Sequence, residues 1–156
     1  MASVRLSVHV HEPADVVWRA ASDWPRQGEW MLGTEVHLTG GSGGPGSRLA
    51  AFTGLGGVGF LDTMEIVGWD PPRSCRVRHT GGLVQGEGGF QVTEVVGRRV
   101  VEQGTEESLF TWWEDFRLPP GGSLVWPFAQ LGVTWGLRRS LDRFAQFCHQ
   151  YREAQR

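Results

Sequence analysis

One carboxylate, that of Glu114, stands in the middle of a row of large apolar side chains. The stretch "LFTWWEDFRLPPG" alternates like a β-strand, so every second residue shares a face. The other members of the row are Phe110, Trp112, Phe116 and Leu118, which mark that face as the inward one. An unpaired buried carboxylate is costly, so Glu114 needs a hydrogen bond, an ion pair or a proton. The sequence therefore predicts a polar partner for Glu114 inside an apolar interior.

Two more ionisable side chains are predicted to point into the same interior. Alternation in "FLDTMEIVGW" puts Asp62 on one face with Phe60 and Met64, and alternation in "SCRVRHT" turns His79 inward. If the turn "DPPR" closes a hairpin between these strands, Asp62 or Met64 lies nearly opposite His79, because cross-strand neighbours are about 5 Å apart. Three ionisable groups then face one apolar interior.

Two interpretations of this cluster stay open at the level of sequence. In the first, the cluster is structural, and Glu114 pairs with an arginine of the last helix such as Arg138 or Arg139. In the second, Glu114, His79 and Asp62 line a cavity and orient the polar end of a mostly apolar ligand. Apolar walls with a few placed polar groups are typical of small-molecule pockets.

Three short motifs match the sequence patterns of known sites but lack the other features that those sites need. "GLGGVG" (54–59) has dinucleotide-site spacing, but strand-like residues follow it where that site needs a helix. "GGSGG" (40–44) would make Ser42 a nucleophile only on a strand-to-helix turn, and here it joins two predicted strands. His9 and His11 could begin a metal site, yet no third ligand is evident. We predict neither a metal nor a cofactor.

Composition narrows the class of protein. The 156 residues fit one domain spanning 1–156, with 40% apolar and 21% charged residues. A net charge of −2 without a basic stripe argues against a nucleic-acid partner. No apolar run approaches the roughly 18 residues of a membrane span. The chain contains no lysine, which excludes Schiff-base chemistry, pyridoxal-phosphate anchoring and a P-loop lysine.

The N-terminus and the cysteines predict a compartment. "MASVRLSVHVHEP" alternates like a strand and lacks the apolar block of a signal peptide. Cys75 and Cys148 are too few for a disulfide framework, so we expect two reduced thiols. Together these features predict a cytoplasmic protein. The sequence leaves open whether it is a monomer or a homodimer.

The order of elements predicts an α+β fold. A first strand (4–11) precedes two short helices, "PADVVWRAAS" and, after Asp23, "WPRQGEWM". About six antiparallel strands follow, and the rival turns Gly97-Arg98 and Gly104-Thr105 leave the last hairpin undecided.

A long helix is predicted from about residue 123 to 151, with Pro127 in its first turn and a possible bend near Gly132 and Gly136. It is long enough to lie across a whole sheet. Its apolar stripe is interpreted as one continuous inward face. The members of that stripe are Leu124, Phe128, Leu131, Trp135, Leu137, Leu141, Phe144, Cys148 and Tyr151.

Four stretches carry a family resemblance: "PADVVWRAASDWPRQGEWM", "WDPPR", "FTWWEDFRLP" and "GLRRSLDRFAQF". In this order and spacing they resemble the START-like helix-grip superfamily, especially the polyketide cyclase/dehydrase-like proteins often labelled SRPBCC. The resemblance covers nearly the whole chain. It implies a curved antiparallel sheet of about six or seven strands around a long C-terminal helix, with an apolar cavity between them.

The resemblance implies two possible functions, and a third stays open beside them. The first is binding of a small hydrophobic ligand such as a polyketide, a lipid or an aromatic compound, with Trp30 near the mouth of the cavity. The second is a polyketide cyclase, aromatase or dehydratase that uses His79 or Glu114 as its general base. The third is an interaction domain with a filled core. The expected ligand-binding residues are Trp30, Phe60, Asp62, Met64, Phe90, Phe110, Trp112, Phe116 and Trp135.

Overall fold

Seven antiparallel strands form one curved sheet. The computed structural model describes residues 1–95 and 106–155, so the two rival turns near residues 97 and 104 lie outside the described part. The strand order is β1-β7-β6-β5-β4-β3-β2, in which each strand from β2 to β6 pairs with its successor and β1 pairs with β7. The strands are β1 Ala2–Val10, β2 Thr34–Gly40, β3 Arg48–Leu55, β4 Val58–Asp70, β5 Ser74–His79, β6 Gln85–Val95 and β7 Glu107–Arg117.

Three helical segments complete the fold. Helix α1 covers Ala14–Ala21, a 3-10 helix covers Trp24–Glu29, and helix α2 covers Gly122–Glu153. Pro25 lies in the first turn of the 3-10 helix, and the side chain of Asp23 makes no capping hydrogen bond. A curved antiparallel sheet with a long C-terminal helix and short helices after the first strand confirms the predicted helix-grip fold.

The core lies between α1, the second half of α2 and the sheet. Its centre is a set of fully buried aromatic rings, among which Phe144 of α2 lies 4.3 Å from Phe110 and 4.6 Å from Trp30 between ring centroids. The buried carboxylate of Glu12, which follows β1, accepts a 2.8 Å hydrogen bond from Arg152 near the end of α2. Apolar packing and this ion pair together anchor the second half of α2.

The first half of α2 corrects the prediction of one inward stripe. Its predicted stripe members are mostly exposed: Leu124 is 79%, Phe128 78%, Leu131 75% and Trp135 69% accessible. An α-helix turns about 100° per residue, so the step from Trp135 to Leu137 rotates the stripe by roughly 200°. The two halves of the stripe therefore lie on opposite sides of α2, and the first half faces solvent.

Helix α2 starts one residue earlier than predicted and includes Pro127 in its second turn. Gly121 precedes it with a φ of 81°, a left-handed conformation that glycine adopts without strain. Within the described residues, no helix combines the length and the hydropathy that crossing a membrane requires. Cys75 and Cys148 are both buried and free, as expected.

Candidate ligand cavity

A cavity of about 480 Å³ lies between the concave face of the sheet, the 3-10 helix and the first half of α2. That volume falls in the range of small-molecule sites. Strands β2 to β7 supply most of its wall, because alternation turns every second side chain toward the concave face. Leu83 stands at the wall with 71% of its surface exposed, so the cavity opens to solvent on that side. The apolar wall includes Met31, Leu49, Met64, Val77, Phe90, Trp112, Phe116, Trp126, Val133 and Leu137.

The polar end of this cavity is a chain of three side chains centred on His79. Nδ1 of His79 lies 2.8 Å from Oδ2 of Asp62, and Nε2 lies 2.8 Å from Oε2 of Glu114. The indole N–H of Trp112 donates a 3.1 Å hydrogen bond to Oε1 of Glu114. We call Asp62, His79 and Glu114 the acid–imidazole cluster; all three line the cavity, and the His79 side chain is only 4% exposed.

The hairpin prediction for this cluster is confirmed. Met64 of β4 pairs directly with His79 of β5, and Asp62 is two residues along the same face of β4. The contact between His79 and Glu114 does not follow from this hairpin. His79 is on β5 and Glu114 is on β7, and β6 lies between these two strands.

The hydrogen bond from His79 to Glu114 crosses over β6 at a glycine. Adjacent strands lie about 4.8 Å apart, so an inward side chain on β6 would stand between the two groups. Gly88 of β6 pairs with Glu114, and a Cβ at this position would overlap the Glu114 carboxylate. The missing side chain of Gly88 is therefore what leaves room for the carboxylate.

The substitution Gly88→Ala tests whether Gly88 leaves room for the Glu114 carboxylate. We expect Gly88→Ala to push the Glu114 carboxylate away from His79, because the new Cβ cannot share its space. Breaking one bond of a buried charged pair should lower the free energy of unfolding by about 2–3 kcal/mol. Urea unfolding measures this, with Gly82→Ala as the control, since a Cβ at Gly82 meets no atom within 4 Å. Equal losses in both variants would contradict the role of Gly88.

The surroundings of His79 favour its charged form. Burial alone lowers the pKa of the imidazole, but hydrogen bonds to Asp62 and Glu114 outweigh burial and raise the pKa of His79 to about 10. Burial raises the pKa of Glu114, and the hydrogen bond from His79 opposes that rise. At neutral pH, His79 is thus an imidazolium that donates both of its N–H groups to carboxylates.

This protonation state predicts how stability depends on pH. A folded-state pKa near 10 lies above the ordinary value of 6.5, so the stabilisation from His79 is full below pH 6.5 and is lost as the pH rises through about 10. We expect the free energy of unfolding to fall by a few kcal/mol more over this interval in the wild type than in His79→Gln. Urea unfolding at a series of pH values measures the difference. The same slope in both proteins would show that His79 is not charged in the folded state.

Most of the predicted site residues lie around this cavity. Phe60, Asp62, Met64, His79, Phe90, Trp112, Glu114 and Phe116 all line it. The expected pairing of Glu114 with Arg138 or Arg139 is not what the structure shows, because Glu114 is bonded to His79 and Trp112 instead. The three ionisable groups are therefore hydrogen-bonded to one another at the cavity wall.

Three predicted ligand-binding residues lie elsewhere. Trp30, expected near the mouth, is fully buried and packs against Phe110 and Phe144. Phe110 is also fully buried in the core, one inward position of β7 before the cavity begins. Trp135 belongs to the outward stripe of α2 and is 69% exposed. A side chain that shares a strand face or a helix with site residues does not have to reach the cavity. Both the concave face of the sheet and helix α2 extend beyond the cavity.

Several wall residues were missing from the sequence prediction. Trp126 and Val133 lie on the inward face of the first half of α2, in line with Leu137 of the predicted stripe. They precede Leu137 by eleven and four residues, which is helical spacing, so the sequence carries a signal for this face. The sequence carries no signal for the role of Gly88, because that role depends on which strand lies between β5 and β7.

The short motifs take the places expected of loops and exposed strands. "GLGGVG" turns the β3–β4 hairpin, and "GGSGG" lies between β2 and β3. His9 is exposed, and His11 pairs with Glu107 at 2.8 Å. In the described ranges 1–95 and 106–155, no cluster of three His, Cys, Asp or Glu side chains is arranged to hold a metal ion.

The fold and its cavity agree with the result of a comparison with known protein families. The chain belongs to the family of polyketide cyclase / dehydrase and lipid transport proteins, whose family model matches residues 1–148. A search of curated protein sequences finds no match.

Solved structures show the same fold at low sequence identity. Protein TTHA0849 from Thermus thermophilus is 16% identical with a TM-score of 0.72, over 96% of this chain and 98% of that one. The ZhuI aromatase/cyclase from Streptomyces sp. R1128 is 17% identical with a TM-score of 0.70, over 96% and 94%. The di-domain ARO/CYC BexL from the BE-7585A biosynthetic pathway is 16% identical with a TM-score of 0.68, over 96% and 47%. At these identities the likeness is one of fold.

Proposed function

We propose that this protein binds a small, mostly apolar molecule in the cavity and orients it through the acid–imidazole cluster. The observation that carries the proposal is the combination of an open cavity of about 480 Å³, apolar walls and one polar end. An apolar ligand gains roughly 25 cal/mol for each Å² of apolar surface that leaves water, so such walls favour rings or hydrocarbon chains. The family description, which includes lipid transport, agrees with this proposal. An open cavity does not favour the alternative of a filled interaction domain.

Ligand binding is tested with a matched pair of variants of α2. We expect members of a panel of fatty acids, flavonoids, sterols and aromatic polyketides to raise the melting temperature and to quench tryptophan fluorescence saturably. Val133→Trp fills the cavity from the inward face of α2, whereas Leu131→Trp adds the same ring to the solvent-facing side. Binding should be lost in Val133→Trp and kept in Leu131→Trp. No response to any compound in the wild type would refute the proposal.

A second candidate function is acid–base catalysis, as in a polyketide cyclase or dehydratase. Both nitrogens of His79 already donate to carboxylates, so His79 has no free lone pair with which to act as a base. Glu114 remains the better candidate, because its carboxylate lines the cavity and burial raises its pKa toward the range useful for proton transfer. In this function Glu114 removes a proton from a carbon next to a carbonyl group, and His79 and Asp62 position Glu114. The aromatase/cyclase named above with the same fold makes this reaction class the one to test.

Proton abstraction can be measured without the natural substrate. 2-Tetralone is a bicyclic ketone with acidic C–H bonds, and proton NMR in D2O follows their exchange for deuterium. If Glu114 is a base, the wild type should accelerate the exchange, and Glu114→Gln should abolish the acceleration while weakening binding only modestly. Asp115→Asn, on the opposite face of β7, is the control. Binding of 2-tetralone without faster exchange would support the binding function alone.

A further inference from the structure

The hydrogen-bond donors of the acid–imidazole cluster are already in use. His79 donates one N–H to Asp62 and the other to Glu114, and the single N–H of Trp112 points to Glu114. Neither ring has another donor to offer. A ligand group that only accepts hydrogen bonds therefore finds no free donor in the cluster.

Acceptor capacity remains on both carboxylates. A carboxylate offers about four lone-pair positions, and Glu114 uses two of them. Asp62 is 9% exposed and uses one oxygen for His79; its Oδ1 is buried and has no hydrogen-bond partner among the described residues. Gly81 lies beside this oxygen, where even a Cβ would stand 3.9 Å away. Both carboxylates therefore keep acceptor capacity, and that of Asp62 includes an oxygen without a partner in the described part of the chain.

The charge of the cluster disfavours an anion. Two carboxylates face one imidazolium, so a ligand carboxylate would lose its hydration and meet net negative charge. Gln27 and Arg117 also line the cavity, but Gln27 carries no charge, and Arg117 lies at the exposed end of β7, three residues beyond Glu114. An ammonium group would meet the right charge, but its desolvation between apolar walls is costly. A neutral hydroxyl group supplies a donor without burying a new charge.

We propose that the acid–imidazole cluster binds the hydroxyl group of a neutral, otherwise apolar ligand, such as a phenol, and rejects ligands that end in a carboxylate. This inference rests on the proposed binding function and specifies the ligand's polar group. The hydroxyl donates its hydrogen to a free lone pair of Glu114 or Asp62, while the rings of the ligand contact the apolar wall.

Four naphthalenes that differ in one substituent test the proposal in the wild-type protein. They are 2-naphthol, 2-methoxynaphthalene, naphthalene and 2-naphthoate, compared by isothermal titration calorimetry at pH 7. 2-Naphthol should bind about tenfold more tightly than 2-methoxynaphthalene, because a hydrogen bond to a charged acceptor is worth about that factor or more. 2-Naphthoate should bind more weakly than unsubstituted naphthalene.

The outcomes test the hydroxyl preference separately from the proposed binding function. If naphthalene and its ether bind as tightly as 2-naphthol, the cavity binds apolar ligands but the hydroxyl preference is refuted. Tightest binding of 2-naphthoate would also refute it. Binding of 2-(aminomethyl)naphthalene, a cation at pH 7, above that of 2-naphthol would replace the hydroxyl with a cation. If none of these compounds binds, the inference fails for this ring size, and a parallel failure of the full ligand panel would refute the binding function as well.

Two adjacent positions of β7 supply the variant and its control. In Glu114→Gln the new amide can donate a hydrogen bond, so the tenfold preference for 2-naphthol over 2-methoxynaphthalene should shrink to about twofold or reverse. Asp115→Asn makes the same chemical change on the opposite face and should keep the wild-type preference. Circular dichroism verifies that both variants are folded. An unchanged preference in Glu114→Gln, together with an unchanged one in Asp62→Asn, would refute the assignment of the hydroxyl to this cluster.

Discussion

Replacing His79 with alanine should lower the free energy of unfolding by about 3–5 kcal/mol, because the change removes the cation from between two carboxylates that line an apolar cavity. Asp62 and Glu114 would lose their shared partner and repel each other. Urea unfolding at pH 7 measures the loss. His37→Ala is the control, because the His37 side chain is 70% exposed and lies 3.8 Å from Glu35, and such surface pairs contribute little.

A second substitution shows whether the loss comes from the carboxylates. Adding Glu114→Gln to His79→Ala should recover part of the stability, since the remaining Asp62 would no longer face a second ionised group. If Glu114→Gln instead lowers the stability of the His79→Ala variant by as much as it lowers that of the wild type, the two residues are energetically independent. That result would contradict the geometry of the cluster.

Replacing Phe144 with alanine should lower the free energy of unfolding by about 3–5 kcal/mol as well, through loss of packing. Phe144 is fully buried and its ring contacts those of Trp30 and Phe110. At roughly 2–4 °C per kcal/mol for a chain of this size, the melting temperature should fall by about 10 °C.

Phe128→Ala on the same helix is the matched control for Phe144→Ala. Phe128 is 78% exposed, so its removal should change the free energy of unfolding by no more than about 0.5 kcal/mol. Both changes replace phenylalanine with alanine inside α2, so helix propensity cancels in the comparison. Similar losses in the two variants would mean that the outward stripe of α2 is buried in solution and that the orientation of this half of the helix is wrong.

Residue alternation was sufficient to predict the inward side chains of the sheet. A strand has a period of two, so a single reference point such as the aromatic row around Glu114 fixes the direction of every other residue. Asp62, His79 and Glu114 could therefore be assigned to one interior before their contacts were known. The hairpin turn "DPPR" added the register that brings Asp62 close to His79.

Two features could not be derived in the same way. The bond between His79 and Glu114 depends on strand order, on the register of β6 and on the absence of a side chain at Gly88, none of which is local information. The orientation of the first half of α2 was also ambiguous. Both of its faces carry apolar residues at helical spacing, and periodicity identifies a face without saying which one is covered.

The imidazole ring of His79 also links three strands of the sheet at the polar end of the cavity. Asp62, His79 and Glu114 come from β4, β5 and β7, and their side chains meet on the concave side. Flattening the sheet would spread these side chains apart, so the two hydrogen bonds of 2.8 Å to the ring oppose that change. The resistance of the sheet to flattening at this end is therefore linked to proton occupancy, because protonating either carboxylate weakens one of the two bonds that connect the strands.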